Sequence, residues 1–220
     1  VPPRFGRLRP VLEALLRQNP APERVLLCVA ERYERFPGPV RLTEVPEGVE
    51  LVRGEDIGPG MKALAAARHL PGGRLIYCDD DWIAGPGWAA ALLAAGDART
   101  AATGQGFGVE RLGRSGAAGP GVVDIAQGFS GVSVRPEWLG DATPPDRAGE
   151  RAADDIWLSA HLAARGIAIR EAPEARAALH PAYEADGLQQ ARIAGMTRAE
   201  ANQACADWAA RRYGVWPKTA

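Results

Sequence analysis

The feature that most restricts this chain is an apolar run that ends in charge: Leu75-Ile76-Tyr77-Cys78 passes directly into Asp79-Asp80-Asp81. The run shows no apolar–polar alternation. It therefore reads as a strand covered on both faces, and such a strand requires helices on both sides of a sheet. The three carboxylates must then emerge at the end of the strand, because adjacent like charges are costly to bury without a cation or several donors. A second uninterrupted run, Val25-Leu26-Leu27-Cys28-Val29-Ala30, has the same signature.

Helical patterns alternate with these runs. Leu8, Val11, Leu12, Leu15 and Leu16 form an amphipathic stripe that Pro20 and Pro22 end. Residues 40–45 and 49–53 predict short strands around Pro46-Glu47-Gly48. Met61 to His69 predicts an Ala-rich helix between Gly58-Pro59-Gly60 and Pro71-Gly72-Gly73, and a further helix runs from Gly87 to Ala95. From 96 to 150 the chain is rich in Gly, Pro, Arg and Asp, with short strands predicted at 100–103, 107–111, 122–126 and 129–134. Residues 155–165 predict a helix with Ile156, Ala160, Ala163 and Ile167 on one face and Gly166 beyond its end. A strand at 167–169 and helices near 188–194 and 198–212 complete the pattern. The expectation is one α/β domain over residues 1–220, a mostly parallel sheet flanked by helices with a small antiparallel edge. Residues 1–95 form its first half, 96–187 its second, and 188–220 its C-terminal helices.

Composition narrows the function. Lys and Arg number 26 and Asp and Glu 27, a formal charge of -1, without the basic excess usual for nucleic-acid binding. No apolar run approaches the roughly 20 residues of a membrane span. The start, Val1-Pro2-Pro3-Arg4, has neither an apolar signal region nor an initiator Met and reads as processed or truncated. Cys28, Cys78 and Cys205 lie far apart, which argues for reduced thiols and a cytoplasmic location. Only Lys62 and Lys218 among the basic residues are lysines, so a Lys inside a motif stands out.

Chemistry concentrates in four places. The aspartates 79–81 follow a buried strand, where α/β sheets bind ligands, and oxygen donors of this kind suit Mg²⁺ or Mn²⁺ arriving with phosphates. A solvated acidic turn is the plain alternative. Asp56-Ile57-Gly58-Pro59-Gly60-Met61-Lys62 combines flexible backbone, a helix start and a cation, which would suit a diphosphate or an ordinary junction equally. Asp154-Asp155-Ile156-Trp157 opens a helix, where an Asp can cap the helix or serve as a general base; Trp157 would give a sugar ring a platform. Gly128-Phe129-Ser130-Gly131 suggests close backbone approach to a ligand, or a bulged strand.

In this order the segments resemble the inverting, family-2-like glycosyltransferases of the GT-A fold, from Pro2 to about His180. The family's Pro/Arg-containing strand end matches Pro2-Pro3-Arg4, and its Asp-x-Gly-Pro-x-x-Lys segment matches Asp56, Gly58, Pro59 and Lys62. Its DxD motif matches Asp79 and Asp81, its Gly-Phe-x-Gly segment Gly128 to Gly131, and its acidic pair Asp154 and Asp155. The chain departs from the pattern in three ways. The family's first strand is shortened or missing at Val1. The pair is Asp-Asp rather than Glu-Asp. Gln189-Gln190-Ala191-Arg192-Ile193 lacks the Trp of processive polymerases.

The resemblance implies non-processive transfer from a nucleoside-diphosphate sugar, with a UDP-linked donor, to an unidentified acceptor hydroxyl. A divalent cation, Mn²⁺ or Mg²⁺, would sit on Asp81. His180 occupies the position of a third metal ligand but reads equally as an exposed His beside Pro181. Arg4, Asp56, Lys62, Asp79, Asp80, Gly131 and Trp157 would bind substrate. Asp155 is the expected base, with Asp154 the alternative. The long segments 104–121 and 140–152 would hold acceptor and lid. A haloacid-dehalogenase-like phosphatase also carries a DxD, but its Lys follows that motif whereas Lys62 precedes it. A nucleotidyltransferase and a non-catalytic carbohydrate-binding module are the other classes compatible with the pattern.

Overall fold

The computed structural model describes residues 1–42, 45–183, 192 and 194–219. A 3₁₀ stretch, Pro2–Arg7, leads into α1 (Arg9–Leu16), then β1 (Val25–Ala30), β2 (Val49–Gly54) and α2 (Met61–His69). Next come β3 (Leu75–Tyr77), β4 (Trp82–Ala84), α3 (Trp88–Ala95), β5 (Thr100–Thr103) and β6 (Gly106–Phe107). The second half holds β7 (Val122–Val123), β8 (Ile125–Ala126), a 3₁₀ turn at Gly128–Ser130, β9 (Val132–Val134), α4 (Ala148–Arg151) and α5 (Asp154–Ala164). The described residues end with β10 (Ala168–Glu171), α6 (Pro173–Ala177), β11 (Leu179–Pro181) and α7 (Arg198–Tyr213).

The molecule is α/β, but its sheets are small and mixed. The largest has five strands in the order β3-β9-β5-β10-β7; β1-β2, β11-β4 and β6-β8 are separate pairs. Among the described residues only β1-β2 and β5-β10 pair in parallel, and the other five ladders are antiparallel. The mostly parallel sheet expected from sequence is therefore met only in part. The cause is β9, a return strand inserted between β3 and β5 that runs opposite to both.

The largest core packs Leu64 of α2, Val132 of β9, Ile156, Leu158 and Leu162 of α5 and Cys205 of α7 into one cluster. Trp88, Leu92 and Leu179 form a second cluster, and Phe5, Leu8, Leu12 and Val29 a third. α7 begins with a complete capping box between Thr197 and Glu200, two reciprocal bonds that satisfy otherwise orphaned helix-end N–H groups. Gly166 adopts φ 68° after α5, as a helix terminator should. Burial pushes the thiol of Cys28 up to about 11 and that of Cys78 to about 12, so neither is a thiolate near neutral pH.

Three short elements, β4, β11 and α6, go beyond the sequence expectation, whereas residues 40–42 form no strand. Residues 43 and 44 of that expected strand lie outside the described residues. So does most of the helix expected at 188–194, together with the Gln189-Gln190 motif. The 104–121 segment is anchored rather than open. Arg114 is 2% exposed, donates to the Trp216 carbonyl at 2.9 Å and pairs with Asp207 on α7, while the Ser115 N–H donates to the Pro217 carbonyl. No helix among the described residues is long and apolar enough to cross a membrane.

Candidate functional site

Four segments far apart in sequence converge beyond the carboxyl end of β3. That strand supplies Asp79, the first turn of α2 supplies Lys62, the first turn of α5 supplies Asp154 and Asp155, and the turn after β8 supplies the Gly128 amide. Lys62 Nζ donates to Asp79 Oδ1 at 2.5 Å and to Asp154 Oδ2 at 2.7 Å. The Gly128 N–H donates to Asp155 Oδ1 at 2.8 Å. A Cβ at Gly128 would lie 2.9 Å from Lys62 Cε and 3.2 Å from Asp155 Oδ1, so a bare backbone is what lets the three groups meet.

The cluster holds three carboxylates against one ammonium. Burial lowers the tendency of Lys62 to hold its proton, but Asp154, Asp79 and Asp155 outweigh burial and keep its pKa well above the ordinary range. Burial, and then the charge of Asp154, lifts Asp155 to about 7, with Lys62 and the Gly128 N–H acting the other way. Asp154 is raised too, by burial against the pull of Lys62. Asp155 is thus poised to exchange a proton near neutrality. Asp154 is committed to the lysine.

The cap reading of the acidic pair does not hold. Ala153 is the N-cap of α5 and no side chain caps that end. Asp154 instead reaches across the site to Lys62, a partner 92 residues away in sequence.

Asp80 and Asp81 point toward the N-terminal segment. The Val1 ammonium donates to Asp80 Oδ2 at 2.9 Å, and Arg4 contacts Asp80 at 2.6 Å and Asp81 at 3.0 Å. Burial would raise Asp80, but the Val1 ammonium and Arg4 hold it below the ordinary range. Asp81 goes the other way: burial and then Asp79 raise it to about 6 despite Arg4. Its Oδ1 is buried without a hydrogen-bond partner, a vacant acceptor beside two more carboxylates. That donor set fits a hard cation that brings its remaining ligands as water or phosphate. His180 is exposed on β11, where it stands opposite Ile83 of β4, one strand from Asp81. Among the described residues, no group of three or more His, Cys, Asp or Glu converges as a metal cage.

The remaining expected residues divide. Asp56 Oδ1 accepts from the Gly58 N–H and its Oδ2 from the Glu34 N–H, both at 3.0 Å, so it ties two loops at the rim of the cleft. Lys62, Asp79, Asp56, Tyr33 and Arg151 line that cleft, the upper part of a cavity of about 800 Å³. Gly131 has φ 85°, and a Cβ there would meet Trp88 Cζ2 at 2.2 Å, so the close approach it permits is to a core tryptophan.

Trp157 requires a correction. It is fully buried, its ring lies against Gly60, and its Nε1 donates to the Arg151 carbonyl at 3.1 Å, so it offers no platform to a sugar. Its spacing from Ala153 and Ala160 already puts it on the core-facing stripe of α5. The aromatic surface near the carboxylates is instead Trp82, whose ring lies 5.0 Å from Phe129. The Arg176 guanidinium stands 4.8 Å from the Trp82 centroid and 5.4 Å from that of Phe129. Arg176 escaped the sequence reading because α6 carries no motif; the Trp directly after the aspartates was the available clue. No protein-family model matches the chain, and none of the curated proteins matches its sequence.

Proposed function

We propose that the protein is a metal-dependent glycosyltransferase of the GT-A type. It would transfer a sugar from a nucleoside-diphosphate donor, UDP-linked by the family resemblance, to an acceptor hydroxyl with inversion. The observation that carries this reading is the convergence of Lys62, Asp79, Asp154 and Asp155 beyond the end of one strand, with the unpartnered oxygen of Asp81 nearby. The order of motifs in the sequence supports it independently.

Asp155 acts as the general base. It has one oxygen on the Gly128 N–H and a pKa near 7, so above neutrality it can accept the acceptor's hydroxyl proton as that oxygen attacks the anomeric carbon. Asp154 holds Lys62, and Lys62 in turn orients Asp79 toward the donor. As donor phosphates arrive, their charge competes for Lys62 and offsets the carboxylate surplus. Asp81, assisted by Asp79 and with His180 on the neighbouring strand, would hold a Mn²⁺ or Mg²⁺ ion. When bound, the ion supplies positive charge to the departing diphosphate. Trp82, with Phe129 and Arg176, provides an aromatic face for a sugar ring in the role expected of Trp157.

The test is incubation with a panel of nucleoside-diphosphate sugars and Mn²⁺, following nucleoside diphosphate release. Release with at least one donor, lost on chelation, supports the reading. No release with any donor, and no binding of nucleoside diphosphate, removes it.

A further inference from the structure

The 800 Å³ cavity does not end at the cleft. Its lower part is a slot between β1 and β3, reaching down to Pro22 before β1 and Gly73 before β3. Among the described residues β1 pairs only with β2, and β3 only with β9. Each strand therefore turns a second edge of backbone N–H and C=O groups toward the slot. The two strands run the same way: the segments that precede them line one end, and Val29, Asp80, Arg4 and Phe5 line the other.

Helices close both faces, α2 through Met61 and Ala66, and α1 through Leu12 and Leu15. The strand side chains alternate accordingly. Leu26, Cys28, Leu75 and Tyr77 pack into the core on the α2 side, whereas Leu27, Ile76 and Cys78 pack into the clusters of α1 and α3. Two facing edges of buried backbone groups are costly unless something pairs with them. β1 also reads as a fully covered strand, yet its central residues Leu26, Leu27 and Cys28 are only half-buried.

We propose that the slot is a strand acceptor: one extended segment lies between β1 and β3, parallel to both and hydrogen-bonded to both. A strand fills roughly 160 Å³ per residue, from its rise, its spacing to neighbours and the spacing of layers. The slot and cleft together thus hold at most about five residues. Because both faces are apolar, the segment is apolar at every position and β-branched by preference.

Its occupant is joined through its carboxyl end to the Val1 nitrogen. That nitrogen lies 2.9 Å from Asp80 Oδ2, at the mouth between the carboxyl ends of β1 and β3. A strand ending there is parallel to both neighbours without a connecting loop, and as an amide the nitrogen keeps one N–H for Asp80. The inserted strand would join β2-β1 to β3-β9-β5-β10-β7 as one sheet and fix Arg4 against Asp80 and Asp81.

The experiment compares the 220-residue protein with versions extended at Val1 by Val-Val-Ile-Val-Val, by Val-Val-Pro-Val-Val and by Gly-Ser-Gly-Ser-Gly. Amide hydrogen exchange of β1 and β3 and the melting temperature are read, with monomer mass confirmed for each. The first extension should slow exchange at both strands about tenfold or more and raise the melting temperature by several degrees. The proline version should lose most of this, since it cannot donate at the central position. Equal behaviour of the first and the Gly-Ser extensions overturns the proposal. Equal protection by acetyl-Val-Val-Ile-Val-Val-amide added to the unextended protein overturns the covalent occupant. None of these readouts depends on transferase activity, so this proposal and the functional one can fail separately.

Discussion

The protein buries charge in two places on opposite terms. Around Arg114 one guanidinium meets one carboxylate, Asp207, and the Trp216 carbonyl; Asp207 is 39% exposed and Lys218 lies 3.7 Å from it. Nearby, Asp124 accepts from the Val109 N–H at 3.0 Å and the Ala117 N–H at 2.7 Å, so this buried carboxylate is also well supplied with donors. Around Lys62 one ammonium serves three carboxylates, and Asp155 has a single backbone donor. The first arrangement holds a loop against α7. The second contains unbalanced negative charge that folding alone does not require, the condition expected of a site that waits for cationic or proton-donating partners.

The comparison can be broken at four points, taken from the largest expected effect to the smallest. Asp155→Asn should cut sugar transfer about 10²–10⁴-fold, the usual cost of losing a general base, because an amide cannot take the proton. The variant should stay folded, since Asn retains an oxygen for the Gly128 N–H. It should also melt higher than the parent at pH 8, where it removes a charge that the site opposes. Normal turnover in a folded Asp155→Asn protein would remove Asp155 as base. If Asp154→Asn alone were inactive and folded, the base would be Asp154.

Lys62→Met leaves the three carboxylates without their cation. Breaking a buried pair on one side costs about 3–5 kcal/mol, and chemical denaturation at pH 8 should show a loss of that order. The loss should shrink at pH 6, where Asp155, raised to about 7, is mostly protonated. A loss identical at both pH values would contradict the idea of surplus charge. Arg114→Met should cost less, about 1.5–3 kcal/mol for the charge-assisted hydrogen bonds removed, because the exposed Asp207 can turn to water. It should leave transfer intact; a large fall in turnover would show that the two clusters are not separate.

Sequence reading succeeded where long apolar patterns decide the outcome. The predicted bounds of β1 and α2 match the structure, because six continuous apolar residues and an Ala-rich segment between glycines leave few alternatives. Strand direction was not legible in the same way. β9 is three residues long, and its insertion between β3 and β5 is a tertiary choice that no local pattern encodes. For the candidate site, the residue types at Lys62, Asp79 and Asp154 were readable, but not the ion pairs that join them across the fold. Asp154 looked like a cap because helix starts favour Asp, and only the approach of α2 reveals its other partner. Trp157 shows the reverse error. Proximity to the acidic pair suggested exposure, although its position on the apolar stripe indicated burial.

The smallest effect is a pH slope, and its sign follows from the carboxylate. Asp155 binds its proton more tightly in the folded protein, at about 7, than the ordinary value of 3.8 expected on unfolding. Between those values the native state holds more protons than the unfolded one, so this group's contribution to stability declines as pH rises from about 4 to about 7. Catalysis moves the opposite way, because the base works only when deprotonated. Transfer measured at saturating donor should fall about tenfold for each pH unit below about 7 and level off above it. Parent and Asp155→Asn melting temperatures should therefore diverge above pH 6 while parent turnover climbs over the same range. A turnover profile flat from pH 5.5 to 8, in a protein whose melting temperature still declines, would mean that the surplus carboxylate is real but that another group takes the proton.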